Sequence, residues 1–248
     1  ISRPCTRLIE VDKLTSWRFG LTPGQMREVD RLAEADYGIA PIQLMEVAGL
    51  QTARVARQML GPDLANRTVC IVAGKGNNGG DGLVAARRLS GWGARVQVTT
   101  SFAPDEVQGL AAQSLRALRL EGVELVAWAG RVPEADLCID ALLGFGATGA
   151  PHGTVGEMIE ALGGTFRVLA LDMPSGLDGE SGEVAGTCTR AEVTVTLALP
   201  KTGLLTPAAA AYVGDLQVAD IGVPPGLLRR LGVDTTGLFD RGDITRVG

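Results

Sequence analysis

From residue 67 onward, short runs rich in apolar and β-branched residues alternate with stretches of helical spacing, and few folds accept that order. The β-rich runs fall at 67–73, 94–100, 135–141, 166–171, 191–199 and 215–221, with helical stretches near 82–92, 104–121 and 153–163. Strands separated by helices belong in a mostly parallel sheet covered on both faces. Runs such as Val168-Leu169-Ala170-Leu171 are apolar at every position, as strands buried on both sides require. No repeat or linker interrupts the pattern. One α/β domain is expected, a three-layer αβα sandwich with a mostly parallel central sheet, and 248 residues suffice for it.

Two helices should precede this unit. Thr22-Pro23-Gly24-Gln25 offers an N-cap, a proline at the first helical position and a capping-box partner. Met26, Val29, Leu32 and Ala33 follow at helical spacing, and Gly38 is placed to end the helix. A second helix is expected over Pro41 to Leu60, stopped by Gly61, with Leu44, Val47, Leu50 and Met59 as apolar positions. These faces have to be hidden against the sheet or a second subunit. Residues 1–20 lack periodicity and read as an extension whose Trp17 and Phe19 could dock on the body or a partner; the domain proper spans 21–248.

Composition narrows the function. Aromatic residues are 4% of the chain, too few for base-stacking platforms, and a net charge of −5 disfavours nucleic acid or an anionic membrane. An anionic ligand would have to be held locally by backbone amides. Cys5, Cys70, Cys138 and Cys188 are far apart and form no CxxC pair, which suits a reducing, cytoplasmic setting. Cys70 and Cys138 sit in apolar runs and read as buried strand residues. With His152 the single histidine, a multi-histidine metal site is excluded. No apolar stretch has the length of a membrane span, and the amino end lacks the apolar core of a signal peptide.

The strongest local signal is Thr68 to Gly82, TVCIVAGKGNNGGDG, where Gly74, Gly76 and Gly79 fit G-x-G-x-x-G between an expected strand and helix. Such glycines let the chain turn sharply and bring amides close to a phosphate at the helix start. A tight turn without a ligand would read the same way. The next strand, ARVQVTT, lacks the acidic residue that holds a ribose in dehydrogenases, and the loop itself carries Asn77, Asn78 and Asp81. Lys75 is not in the GK[ST] position, so this is no P-loop ATPase.

Two later strands end similarly. Asp140 closes LCID and is followed by Gly144, Gly146 and Gly149; Asp172 closes LALD and is followed by Pro174, Ser175 and Gly176. Ligands of open α/β sheets bind outside the strands' carboxyl ends, so both carboxylates are expected to face one crevice with the 74–82 loop. Each could instead cap a turn. Lys201, in PKTG, could neutralise a phosphate, pair with a carboxylate or lie on the surface.

In this order, AGKGNNGGDGLVAARRL, DALLGFG, LALDMPSGLD, TVTLALPKTGLL and GDLQVADIGVP resemble the NAD(P)HX epimerases, the YjeF N-terminal domain family, from about Leu21 to Pro224. The resemblance implies a Rossmann-like fold whose leading helices pack in a homodimer. It also implies an enzyme that interconverts the R and S epimers of NADH or NADPH hydrated at C6 of the nicotinamide ring. A separate dehydratase would then restore the cofactor, since a chain of this length leaves no room for the dehydratase domain fused to some relatives.

Position by position, Asn77, Asn78, Gly79, Gly80 and Asp81 match one substrate loop, and Gly144, Phe145, Gly146, Ala147, Thr148, Gly149 and Ala150 a second. Asp172 matches the substrate carboxylate, and Asn78, Asp140 and Ser175 match the ligands of one potassium ion. Their amide, carboxylate and hydroxyl oxygens suit a hard cation. Asp172 is the expected acid/base or charge-stabilising residue, with Asp140 assisting or holding the cation. Val47 replaces an asparagine common in the family, and the 144–150 loop lacks a basic residue that several relatives carry. Other readings are a conventional NAD(P) oxidoreductase, for which the ribose acid and a His or Tyr constellation are missing, and a non-catalytic scaffold.

Overall fold

In the computed structural model, which describes residues 20–103, 105–163 and 167–247, the first helix begins where its cap dictates. The Thr22 side chain accepts from the Gln25 amide at 3.2 Å and Gln25 returns a bond to the Thr22 amide, so the capping box is closed. This helix, α1 (Pro23–Tyr37), ends at Gly38 with φ 67°, a left-handed conformation that costs glycine nothing. The second, α2 (Pro41–Leu60), stops at Gly61. The two were legible in the sequence to the residue.

The sheet contains β1 (Thr68–Ala73), β2 (Arg95–Thr100), β3 (Glu124–Ala127), β4 (Leu137–Ala141), β5 (Val168–Leu171), β6 (Val193–Leu197), β7 (Asp215–Ala219) and β8 (Ile244–Arg246). Their spatial order is β3-β2-β1-β4-β5-β6-β7-β8. All neighbours run parallel except β8, which is antiparallel to β7. Three further helices, α3 (Asn77–Gly91), α4 (Gly109–Leu120) and α5 (Gly153–Ala161), complete the main layers. The expected mostly parallel, Rossmann-like α/β sandwich is present. Strand order reverses between β1 and β4, so the crevice of such a sheet opens at their carboxyl ends.

Strand alternation sorts the core. Val69, Ile71 and Ala73 of β1, with Leu137, Ile139 and Ala141 of β4, pack with α1 to α4, while Cys70, Val72 and Cys138 pack with Met158 and Ile159 of α5. Cys70 and Cys138 are thus the buried strand residues expected of them. No helix among the described residues is long and apolar enough to cross a membrane.

Three expectations need correcting. The 74–82 segment is not one loop: α3 starts at Asn77, so Asn77 to Asp81 form its first turn and Gly79, Gly80 and Asp81 are buried. The strands β3 and β8 have no counterpart among the expected runs. The α1 stripe is not left for a second subunit, because Met26, Val29, Leu32 and Ala33 are at most 5% exposed within this one chain. Leu44 joins the same core, and Val47 and Met59 pack against it. Trp17, Phe19 and the rest of residues 1–19 lie outside the described residues.

Candidate active site

The turn from β1 into α3 requires glycine at positions 74 and 79. A Cβ on Gly74 would stand 2.0 Å from the Leu142 carbonyl oxygen, and one on Gly79 would stand 1.7 Å from that of Gly74. These contacts let the first turn of α3 sit directly on the end of β1. Gly76, the N-cap, brings no side chain to bond the leading amides. The helix therefore presents unpaired N–H groups and the positive end of its dipole, a ready site for a phosphate.

Beneath this turn lies a buried polar node. Asp140, fully buried on β4, accepts from the Ser175 hydroxyl at 2.7 Å, the Ser175 amide at 2.9 Å and the Leu142 amide at 3.2 Å. Ser175 Oγ in turn accepts from the Leu143 amide at 2.9 Å. Burial pushes the Asp140 carboxyl up, against the lowering effect of the two Ser175 bonds. The Thr189 hydroxyl is close enough to favour the ionised form, although no partner meets hydrogen-bond geometry with it. Asn78 has both side-chain polar atoms buried without a partner. An unpaired buried amide costs about 1–3 kcal/mol, so its oxygen is suited to a ligand.

Asp172 forms a second node. It follows β5 with φ 66°, one of two non-glycine residues of positive φ among those described; the other is Ala198, three residues before Lys201. Strain of this kind persists where surrounding contacts fix it, commonly at functional sites. Asp172 Oδ2 accepts from the Phe145 amide at 3.0 Å, and Oδ1 accepts from the Lys201 ammonium. Lys201 is wholly buried, also donates to Thr196 Oγ1 at 3.2 Å and the Leu197 carbonyl at 3.1 Å, and stands 5.5 Å from the Phe145 ring centre. The bond from the Leu21 amide to the Pro200 carbonyl and that from the Thr202 amide to the Leu21 carbonyl tie the entry of α1 to this lysine.

The α3 turn and the Asp172 node share a cavity of about 980 Å³. Its walls come from α1, the 74–78 turn, the 142–147 loop and the ends of β5 and β6. Asp81, buried beside it, has its carboxyl raised well above the usual range, first by burial and then by the charges of Asp172 and Asp30. Asp30 on α1 is open to the cavity solvent yet recessed enough that desolvation pushes its carboxyl up to about 6, against the pull of Lys201.

The model of the YjeF-related protein N-terminus matches residues 41–203, well over half of the chain and all of the Asp140, Asp172 and Lys201 framework. The protein belongs to this family. An NAD(P)H-hydrate epimerase of Pirellula staleyi is 41% identical over 197 residues, 74% of this chain and 87% of the relative. One of Rhodopirellula baltica is 39% identical over 66% of this chain and 70% of its own. A bifunctional NAD(P)H-hydrate repair enzyme of Moorella thermoacetica is 39% identical over 73% of this chain, which spans 36% of that longer protein. The crystal structure of yeast YNL200c superimposes with a TM-score of 0.76 over 92% of this chain and 99% of its own; at 21% identity it shows the fold alone.

Within this YjeF-type domain, the residues matched from the sequence divide into groups. Asn77, Asn78, Asp81, Gly144, Phe145, Gly146, Ala147 and Asp172 line the cavity, while Gly79 and Gly80 are buried, Gly79 against Gly74 and Gly80 against Met45, two residues that do line it. Thr148 and Gly149 do not; they border a separate small recess, and Ala150 lies against Gly186. Nor does Asp140 face the crevice. Two residues along from Cys138, it starts on that residue's side of the sheet, where Ser175 and the Leu142 amide enclose its carboxylate and keep it out of the cavity lining. A direct catalytic part for Asp140 is therefore set aside. Asp140 and Ser175 do come together, as expected. Sequence reasoning missed Asp30, whose spacing reads as a solvated helix face, and left Lys201 undecided between surface and site. Among the described residues no cluster of three or more His, Cys, Asp and Glu is placed to hold a metal.

Proposed function

We propose that the protein is an NAD(P)H-hydrate epimerase, acting on the nicotinamide-ring hydrate of NADH or NADPH in the cavity above Asp172. The observation that carries this reading is that one cavity joins the free amides of the α3 N-terminus to an ion-paired carboxylate. The names of the relatives supply the substrate class.

The chemistry follows from these positions. The α3 amides hold the dinucleotide's phosphates, compensating for an acidic chain. The ring then lies toward Asp172 and the Gly144–Ala147 segment. The hydroxyl at C6 sits on a carbon bonded to nitrogen, so its departure leaves a nitrogen-stabilised cation. Asp172 faces that charge and is held in place by Lys201 and the Phe145 amide, a preorganised arrangement that needs no rearrangement as charge develops. It also exchanges a proton with departing or arriving water, and water returning to the other face completes epimerisation. Opening and reclosing the C6–N1 bond would use the same carboxylate.

Asn78, Asp140 and Ser175 would hold a potassium ion. The buried, unpartnered Asn78 amide and the desolvated Asp140 carboxylate both fit a hard, oxygen-seeking cation. Bound there, it would supply a fixed positive charge beside the phosphate site. The homodimer enters this reading from the family resemblance alone, since α1 has no apolar face left for it. The reaction product would pass to a dehydratase.

The test is direct. The pure protein is incubated with an epimer mixture and a stereospecific dehydratase. The epimer that the dehydratase rejects should be consumed faster than it epimerises spontaneously; consumption at the spontaneous rate contradicts the proposal.

A further inference from the structure

An epimerisation through loss and return of water needs a proton delivered to the leaving hydroxyl and another removed from the incoming water. The Asp172 node provides one carboxylate already engaged with an ammonium. A second proton-transfer group should have the opposite character: open to the cavity, without a salt bridge, and on a different wall.

Asp30 has that character. It lines the cavity from α1, whereas Asp172 lies at the end of β5. Among the described residues no hydrogen bond or ion pair engages its carboxylate, although its neighbours Glu28 and Arg31 pair with each other at 2.7 Å. Its position is nonetheless fixed, because α1 is anchored by the Leu21 bonds to Pro200 and Thr202, on either side of Lys201. The charges that reach it come from Lys201 and Asp172, and Asp81 on α3 feels it in turn. Arg31 and Glu34 of α1 also face the cavity, and Lys75, Glu106 and His152 lie on its other walls.

We propose that Asp30 is the second catalytic carboxyl, the general acid that protonates the departing C6 hydroxyl while Asp172 takes the proton of the returning water. The assignment rests on the epimerase reading. As the C6–O bond breaks, the Asp30 proton passes to the hydroxyl, water leaves, and the N1 lone pair forms a C6–N1 double bond. Water then adds to C6 from the other face, the C6–N1 π pair returns to N1, and the proton lost from that water goes to Asp172. One proton has moved from Asp30 to Asp172. Solvent entering the cavity resets both, and the reverse epimerisation uses them with exchanged roles. Two carboxyls in one site with contrasting environments are the usual signature of divided acid and base work. A carboxyl pushed up to about 6 holds its proton further into the working range than an ordinary aspartate.

The experiment measures enzymatic epimerisation above the spontaneous rate from pH 5 to 8.5 for wild type, Asp30→Asn and Asp30→Glu. In the wild type, kcat/KM should fall as pH rises through about 6, where free-enzyme Asp30 loses its proton. Asp30→Asn should lower kcat by about 100-fold, leave KM within about threefold, and abolish that alkaline fall. Asp30→Glu should recover part of the rate and restore the fall. Asp30→Asn with kcat within about threefold of wild type and an unchanged profile, or an effect confined to KM, overturns the assignment while the epimerase reading stands. No catalysis by the wild type overturns both.

Discussion

Asp140 and Asp172 stand at the ends of neighbouring parallel strands in nearly the same sequence setting, an apolar run, an aspartate and a glycine-bearing loop, yet they occupy opposite environments. Asp140 keeps the strand's alternation, so it starts on the Cys138 side of the sheet, where Ser175 encloses it with hydrogen bonds. Asp172 comes one residue after β5 ends, at φ 66°, and that single left-handed residue redirects its carboxylate into the cavity beside Lys201. Backbone direction, more than residue type, separates a carboxylate that organises loops from one that meets substrate.

Removing Lys201 should break this contrast most severely. Lys201→Met leaves Asp172 buried with the Phe145 amide as its remaining bond. Loss of one partner of a buried pair costs about 3–5 kcal/mol. Chemical denaturation should register that loss, and the Asp172→Asn/Lys201→Met double variant should recover more than half of it; a single-variant cost below about 1 kcal/mol would mean that the pair is not a structural unit. Ser175→Ala probes the other node. It removes the hydroxyl bond to Asp140, worth about 2 kcal/mol for a charged acceptor. It should also weaken thallium binding, followed by anomalous scattering, while epimerisation falls less than in Asp172→Asn. Unchanged thallium occupancy would detach Ser175 from the cation site. The smallest effect is expected at Thr148, outside the cavity. Thr148→Ala should change stability by no more than about 0.5 kcal/mol and leave KM unaltered, and a large rise in KM would return the 148–150 segment to the substrate site.

Much of this was legible because local rules governed it. Thr22, Gln25 and Gly38 encode both ends of α1, and Gly74 and Gly79 encode a turn with no room for a Cβ at either position. The short edge strand β3 escaped notice because its flanking Glu124 and Ala127 are exposed and its centre is half-buried, which leaves no strong apolar run. With three residues, β8 is too short to show a period. The face taken by Asp140 could have been read from its spacing to Cys138. The burial of Lys201 could not: its partners Asp172 and Phe145 lie 29 and 56 residues away, and only the assembled sheet brings them together. Asp30 beside Val29 looks like any solvated helix charge until α1 is seen to roof the cavity.

The central claim is that the carboxylate at the cavity floor drives the reaction. Asp172→Asn keeps the shape and leaves the Phe145 amide and the Lys201 ammonium an oxygen to bond, but it removes the counter-ion of that buried lysine, so the variant should be less stable yet still folded by circular dichroism at 25 °C. With the epimer mixture and dehydratase, the variant's kcat should fall by at least about 100-fold, the scale of a lost acid–base or charge-stabilising group. A folded Asp172→Asn protein that epimerises at close to the wild-type rate would contradict the account.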